Sequence, residues 1–189
     1  NIDEQVTLKE SDIDNAYGEL WKKGVGYKIS LRDASKLMLE DSDNTATRLI
    51  AEKLKGVLKE DEQSFKQLDI DQTLQNGQAV INAKSYSSVL RSLYLSSYLT
   101  KDNSQEILKY LAGSTENRRL TKYLPKDVVV AHKNGVYNST KFSESDCGIV
   151  YIPQRPYMIC AMIGLPDNEA SEIIANVSKQ VFDFVTSQP

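Results

Sequence analysis

Two cysteines, one histidine, five prolines and nine glycines are all that these 189 residues hold of those types. With His132 as the sole histidine and no Cys/His cluster, nothing has the spacing of a zinc or haem site, so no metal and no other cofactor is implied. Cys147 and Cys160 both sit in apolar, strand-like surroundings. They read as small buried hydrophobes rather than as a disulfide framework. Positive charge is scarce as well: 23 basic against 26 acidic residues leave a formal charge of −3. No basic stripe exists to neutralise a phosphate backbone, which argues against nucleic acid as a partner. The longest apolar run, from Tyr157 to Leu165, is far short of the roughly 20 residues needed to cross a bilayer. No charged and apolar leader precedes a cleavage site either. What remains, 40% hydrophobic and 26% charged, is the balance of one soluble globular domain with a core of useful size.

The segment from Asn1 to Asp14 is polar and predicts a loop entering a short helix. Lys22-Lys23-Gly24 is a stop signal, and Ser30 followed by Asp33 is an Asp variant of the capping box. Leu31, Ala34, Leu37 and Met38 then recur at helical spacing, as do Thr45, Ala46, Leu49, Ile50 and Leu54, with Gly56 as the next stop. From Lys59 to Gly77 the chain is irregular, with Phe65, Leu68 and Ile70 as anchors for a short helix and a loop. Helices are expected over Ser85 to Tyr98 and Ser104 to Leu111. The character changes at Val128. Val128–His132, Gly148–Ile152 and Tyr157–Ile163 are β-rich runs. Pro153-Gln154-Arg155-Pro156 makes a hairpin between the last two, since proline is excluded from a central strand. Ile173, Ile174, Val177, Val181 and Phe184 form one apolar stripe on a closing helix, Asn168 to Thr186, expected to lie on the sheet. The expected class is α+β. A helical part covers about 12–125, and a three-stranded antiparallel sheet under a C-terminal helix covers about 126–187, all within a single domain of 1–189.

Two short motifs carry chemistry. Ser42-Asp43-Asn44 sits at a helix junction, where any such tripeptide taken alone is ordinarily a cap. Lys133-Asn134-Gly135 follows a β run and alone reads as a turn. Their order changes the reading. A Ser-Asp-Asn before Thr-Ala and a helix, followed about ninety residues on by strand, His-Lys-x-Gly, a polar loop, Asp146 and two strands, resembles the penicillin-recognising serine hydrolases. These are the class A β-lactamases and D,D-peptidases. Gly18-Glu19-Leu20, Ile29-Ser30-Leu31, Leu124 to Val128, Asp146 to Tyr151 and the closing helix also fall in family order.

The resemblance implies a β-lactamase/transpeptidase-like fold and a set of roles. Ser42 would protonate the departing nitrogen. Lys133 would orient Ser42 and attract the carboxylate of a β-lactam or a D-Ala-D-Ala peptidoglycan stem peptide. Asn44 would hydrogen-bond the substrate amide, Gly135 would let substrate approach the strand edge, and the Val136 N–H would form half of an oxyanion hole. Asn134 stands where the family has threonine and would line the same site. Asp43 is expected to cap the following helix. Tyr17 fits the mouth of the cleft, the core or the surface equally well. The Asn138-Ser139-Thr140 triplet has the form of a glycosylation site, discounted because the family is largely bacterial. The family's place of action implies an extracytoplasmic location.

Two features depart from the family. No serine of the chain has lysine three positions on, so the nucleophile motif Ser-x-x-Lys is absent. The expectation is a chain that begins after that segment and needs a complementary N-terminal segment or self-association to cover what is exposed. The alternative is a non-catalytic module that binds a muropeptide or a protein. Nor does Leu68 to Asn76 contain the Glu-x-x-Leu-Asn pattern that activates a deacylating water, and Asp71 is no equivalent. Slow deacylation follows from the resemblance as readily as β-lactamase activity does.

Overall fold

Ser30 starts the first helix as its sequence predicts: its Oγ accepts the Asp33 N–H at 3.0 Å and donates to the Asp33 carboxylate at 2.6 Å. The computed structural model describes residues 1–55, 65–70, 72–75, 78–138 and 142–188. Residues 56–64 (with Gly56), Asp71, the Asn76-Gly77 pair, residues 139–141 (with Ser139 and Thr140) and Pro189 lie outside the described residues. The chain divides into two compact units, Asn1–Asp61 and Glu62–Pro189.

In the first unit, strand β1 (Gln5–Thr7) pairs antiparallel with β2 (Lys28–Ser30), with Val6 opposite Ile29. The opening segment thus carries a short strand as well as the expected helical turn, a 3-10 turn at Glu10–Asp12. Helices α1 (Leu31–Glu40) and α2 (Asn44–Leu54) follow. Their apolar positions meet Leu8, Leu20 and Ile29 in one core with Ala34, Ala46 and Leu49 buried at its centre. Burying each aliphatic side chain there contributes about 1.5–3 kcal/mol.

In the second unit a helical turn at 65–67 leads to a hairpin of β3 (Gln72–Gln75) and β4 (Gln78–Ile81), which the irregular sequence gave no sign of. Helix α3 (Ala83–Leu95) begins at the Asn82 cap, and α4 (Lys101–Ala112) at Thr100, a few residues earlier than its apolar pattern suggests. The three expected strands are β5 (Val129–Asn138), β6 (Phe142–Tyr151) and β7 (Tyr157–Ile163), in the antiparallel order β5-β6-β7. Gln154, in the turn between the two prolines, takes φ 65°.

Register corrects one expectation. Cys147 and Cys160 stand directly opposite each other on β6 and β7 and are joined as a disulfide. Their apolar surroundings gave no hint of pairing, because cross-strand register is not visible from thirteen residues of sequence separation. The closing helix α5 (Asp167–Ser187) brings a second correction. Its buried face is Ala170, Ser171, Ile174, Ala175 and Ser178. Small residues there allow close approach, and Ser178 Oγ donates to the Leu120 carbonyl at 2.7 Å. Val181 and Phe182 pack on the sheet core, whereas Ile173, Val177 and Phe184 stay exposed.

A buried ionic cluster fastens this unit. Arg119, fully buried, pairs with Glu116 at 2.6 Å, with Asp167 at 2.8 Å and with Glu144. One guanidinium thereby ties the segment before β5 to β6 and to the first turn of α5. Arg118 pairs with the same Asp167 at 2.7 Å and, ahead of other causes, holds its carboxyl below the usual aspartate range. Removing one partner of a buried ion pair costs more than the pair contributes, because the other charge remains desolvated. Arg119→Ala is therefore expected to lower stability in urea unfolding by about 3–5 kcal/mol; a loss under about 1 kcal/mol would show the cluster to be dispensable.

Candidate active site

The predicted residues fall into two sets, one on each unit. In the first unit, Asp41 ends α1 with its N–H on the Leu37 carbonyl at 3.0 Å. Ser42 then turns into the left-handed region at φ 55°, a conformation that costs a residue with a side chain about 1–2 kcal/mol. Asp43 compensates. Its Oδ1 caps α2 by accepting the Ala46 N–H at 2.8 Å, and its Oδ2 accepts the N–H groups of Glu19 at 2.7 Å and Leu20 at 2.8 Å. The cap expected of Asp43 is present, together with two bonds that its sequence neighbours do not reveal.

Gly18 makes this approach feasible. Its φ is 81°, and a Cβ there would come within 2.1 Å of Asp43 Oδ2. The backbone just before it is used too: the Asn44 N–H donates to the Tyr17 carbonyl at 3.1 Å. Tyr17 is 52% exposed, which removes the core from its three possible placements. Asn44 is half-buried at the first position of α2, and its Nδ2 donates to Asp14 Oδ1 at 3.1 Å. Asp14 lay outside the expected site. Thirty residues separate it from Asn44, and neither spacing nor motif marks it.

In the second unit, Lys133-Asn134-Gly135 is not a turn but the middle of β5, opposite Cys147, Asp146 and Ser145 respectively. The pleat puts Lys133 and Gly135 on one face of the sheet and His132 and Asn134 on the other. Buried His132 meets the equally buried Asp146 through Nδ1, at 2.9 and 3.1 Å from its two carboxylate oxygens. Asp146 Oδ2 also accepts the Leu120 N–H at 3.1 Å. A carboxylate only accepts, so Nδ1 carries the proton. Gly148, opposite His132, leaves room for the imidazole; a Cβ would lie 2.6 Å from that of His132. The strand that presents Lys133 is thus anchored from its far face.

On the near face Ser145 Oγ donates to the Gly135 carbonyl at 3.3 Å, and a Cβ on Gly135 would meet that oxygen at 2.9 Å. A small cavity of about 60 Å³ is lined by Lys133, Asn134, Gly135, Ser145 and Cys147, with Met162 and Tyr86 from outside the motif. Burial, with the Asp146 charge adding to it, pushes the Tyr86 hydroxyl up to about 12. Val136, next along β5, is 43% exposed. Lys133, half-buried on this strand, is the cation that its motif carries.

Comparison with known proteins gives the chain its family and fold. The Beta-lactamase enzyme family matches residues 1–185. Beta-lactamase 3 of Bacillus cereus is 22% identical over 204 residues, an alignment covering 96% of this chain and 62% of that protein. The chain therefore spans less than two thirds of that curated relative. The crystal structure of a beta-lactamase from Sphaerobacter thermophilus superposes with a TM-score of 0.88 at 18% identity, over 100% of this chain and 76% of that one. A mutant of PBP-A, solved as an acyl-enzyme complex with penicillin G, gives 0.85 at 23% identity over 99% and 73%. At these identities the likeness shows the fold.

Two tests follow from the geometry. Gly18→Ala adds strain at positive φ and drives a methyl into the Asp43 carboxylate. It should cost at least about 2 kcal/mol in denaturant unfolding, and an unchanged midpoint would refute the close approach. Tyr86 stays protonated in the folded chain while an unfolded tyrosine ionises near pH 10. Its contribution to stability is fully present below pH 10 and declines as pH rises toward about 12. Absorbance titration should show late ionisation that Tyr86→Phe diminishes; the same curve in both proteins would contradict it.

Proposed function

The chain belongs to the beta-lactamase enzyme family, and on that premise we propose that it carries the second and third motifs of a serine acylase acting on β-lactams or D-Ala-D-Ala peptides. The observation that carries this reading is the pairing, in one chain, of a strained and carboxylate-clamped Ser42-Asp43-Asn44 with a Lys133-x-Gly135 strand braced by His132 and Asp146. Such support suits groups that must hold their geometry while a bond is made and broken.

In this reading Ser42 gives its proton to the departing lactam or amide nitrogen, and Lys133 supplies the positive charge that draws the substrate carboxylate and favours that transfer. Asn44 binds the substrate amide. Gly135, Asn134 and the Val136 N–H receive its acyl part along the edge of β5, and Tyr17 offers an exposed ring beside the Ser-Asp-Asn loop. Attack on the carbonyl needs a serine activated by a nearby base, and none of the 189 residues forms a Ser-x-x-Lys. The nucleophile therefore comes from a segment other than these residues.

Two features favour such a complement or a second copy of the chain. Strand β7 pairs with β6 alone among the described strands, and Ile173, Val177 and Phe184 leave apolar surface on α5 uncovered. An extracytoplasmic location is part of the proposal, and the Cys147–Cys160 disulfide supports an oxidising compartment.

Intact mass after incubation with a fluorescent penicillin tests the assignment. No adduct is expected on the 189-residue chain, and a single acyl adduct on the protein extended upstream. Labelling of neither would replace the acylase with a non-catalytic module that binds muropeptides or a protein.

A further inference from the structure

Asp14 is committed on every side. Its Oδ1 accepts the Ala16 N–H at 2.9 Å and Asn44 Nδ2 at 3.1 Å, while its Oδ2 pairs with Arg48 at 2.6 Å. Thr45 clasps its backbone in both directions: the Asp14 N–H donates to Thr45 Oγ1 at 2.9 Å, and that hydroxyl donates to the Asp14 carbonyl at 3.0 Å. Three residues of α2, Asn44, Thr45 and Arg48, thus reach back to one aspartate whose side chain is only 15% exposed.

The asymmetry of the amide gives this arrangement its consequence. A carboxylate has lone pairs and no proton, so it takes only the NH2 end of an asparagine. A flipped Asn44 would set its carbonyl oxygen against the Asp14 oxygens, exchanging a charge-assisted hydrogen bond for repulsion. With the flip excluded, the carbonyl oxygen and the second N–H of Asn44 each have one direction. We propose that Asp14 is a positioning residue that fixes the orientation of the Asn44 amide, so that Asn44 meets its ligand with Oδ1 as acceptor and one Nδ2 hydrogen as donor in an invariant order.

The link to ligand rests on the proposed acylase reading; the link between Asp14 and Asn44 does not. Asp14 acts without touching substrate. The Ala16 N–H, followed by the Asn44 amide, holds its carboxyl below the ordinary aspartate range, so the brace persists through neutral and mildly acid conditions. Glu40, Asp41, Asp43 and Arg48 are the other charged groups within four residues of Asn44 in sequence, and a variant at Asp14 separates its effect from theirs.

Side-chain amide resonances of Asn44 in ¹H–¹⁵N spectra of the chain provide the test. In the parent they should shift on acidification with a midpoint below the ordinary aspartate value. In Asp14→Ala that response should vanish and the NH2 protons should exchange faster, while the N–H signals of Glu19, Leu20 and Ala46 stay put and report an intact fold. Asp14→Asn, which keeps a carbonyl acceptor, should restore slow exchange without the pH response. Asn44 signals with the same shifts and acid response in Asp14→Ala would overturn the proposal. Penicillin G added to the same samples reads the ligand link. Its binding should weaken about five- to tenfold in Asp14→Ala, equivalent to about 1–1.4 kcal/mol, and recover in Asp14→Asn. Equal binding by all three proteins would overturn the ligand part. No perturbation by penicillin in any of them would count against the acylase reading, and the Asn44 titration would still decide the role of Asp14.

Discussion

Asp43, 1% exposed, holds the candidate residues of the first unit in place. It joins backbone donors from two places far apart in sequence, the adjacent Glu19 and Leu20 and, beyond Asp43 itself, Ala46. Each such bond to a charged acceptor is worth about 1.5–3 kcal/mol net, enough together to offset the desolvation of one carboxylate and the left-handed turn at Ser42. The residues on either side inherit its position. Ser42 is held between a closed α1 and a capped α2, and Asn44 begins α2 with its N–H on the Tyr17 carbonyl. The middle residue of Ser-Asp-Asn is thus the structural one.

Sequence periodicity was a good guide wherever a single element decides the pattern. Helices α1 and α2, the cap at Ser30, the cap at Asp43 and the Pro-bounded turn before β7 were all legible, because each depends on contacts within four or five residues. The order of two motifs and three strands was enough to place the fold. What escaped depends on register or on distant partners. The β1–β2 and β3–β4 pairings are short strands with few apolar residues. The Cys147–Cys160 bond follows from which residues of β6 and β7 face each other, and the residues of β6 opposite Lys133-Asn134-Gly135 follow from register in the same way.

Surface and core were harder to tell apart on α5 than on α1. All five expected stripe residues are apolar, yet the helix turns Ala170, Ala175 and Ser178 inward and leaves Val177 and Phe184 outside. Hydrophobic spacing ranks faces by transfer energy, whereas close approach to a sheet selects small side chains. Arg119 shows the same limit for charge. No motif marks Arg118-Arg119 in the sequence, but the fold collects Glu116, Glu144 and Asp167 around the second arginine and buries it completely.

The candidate site residues share a mode of support. Asn44 is held through its side-chain amide by Asp14, Ser42 is followed directly by the clamped Asp43, and the strand that carries Lys133 is anchored by His132 and Asp146. Asp43 is bound to three N–H groups, Asp14 to Ala16, Arg48 and Thr45, and Asp146 to His132 and Leu120. A buried carboxylate with all its acceptors filled has essentially one low-energy arrangement, because each lost bond costs its full desolvation penalty. Apolar contacts would allow small slips at little cost. Framing the candidate residues of each unit with aspartates exchanges some stability for direction. It also explains why these aspartates are invisible as site residues in the sequence: they act on backbone and on other side chains, and only the fold brings those together.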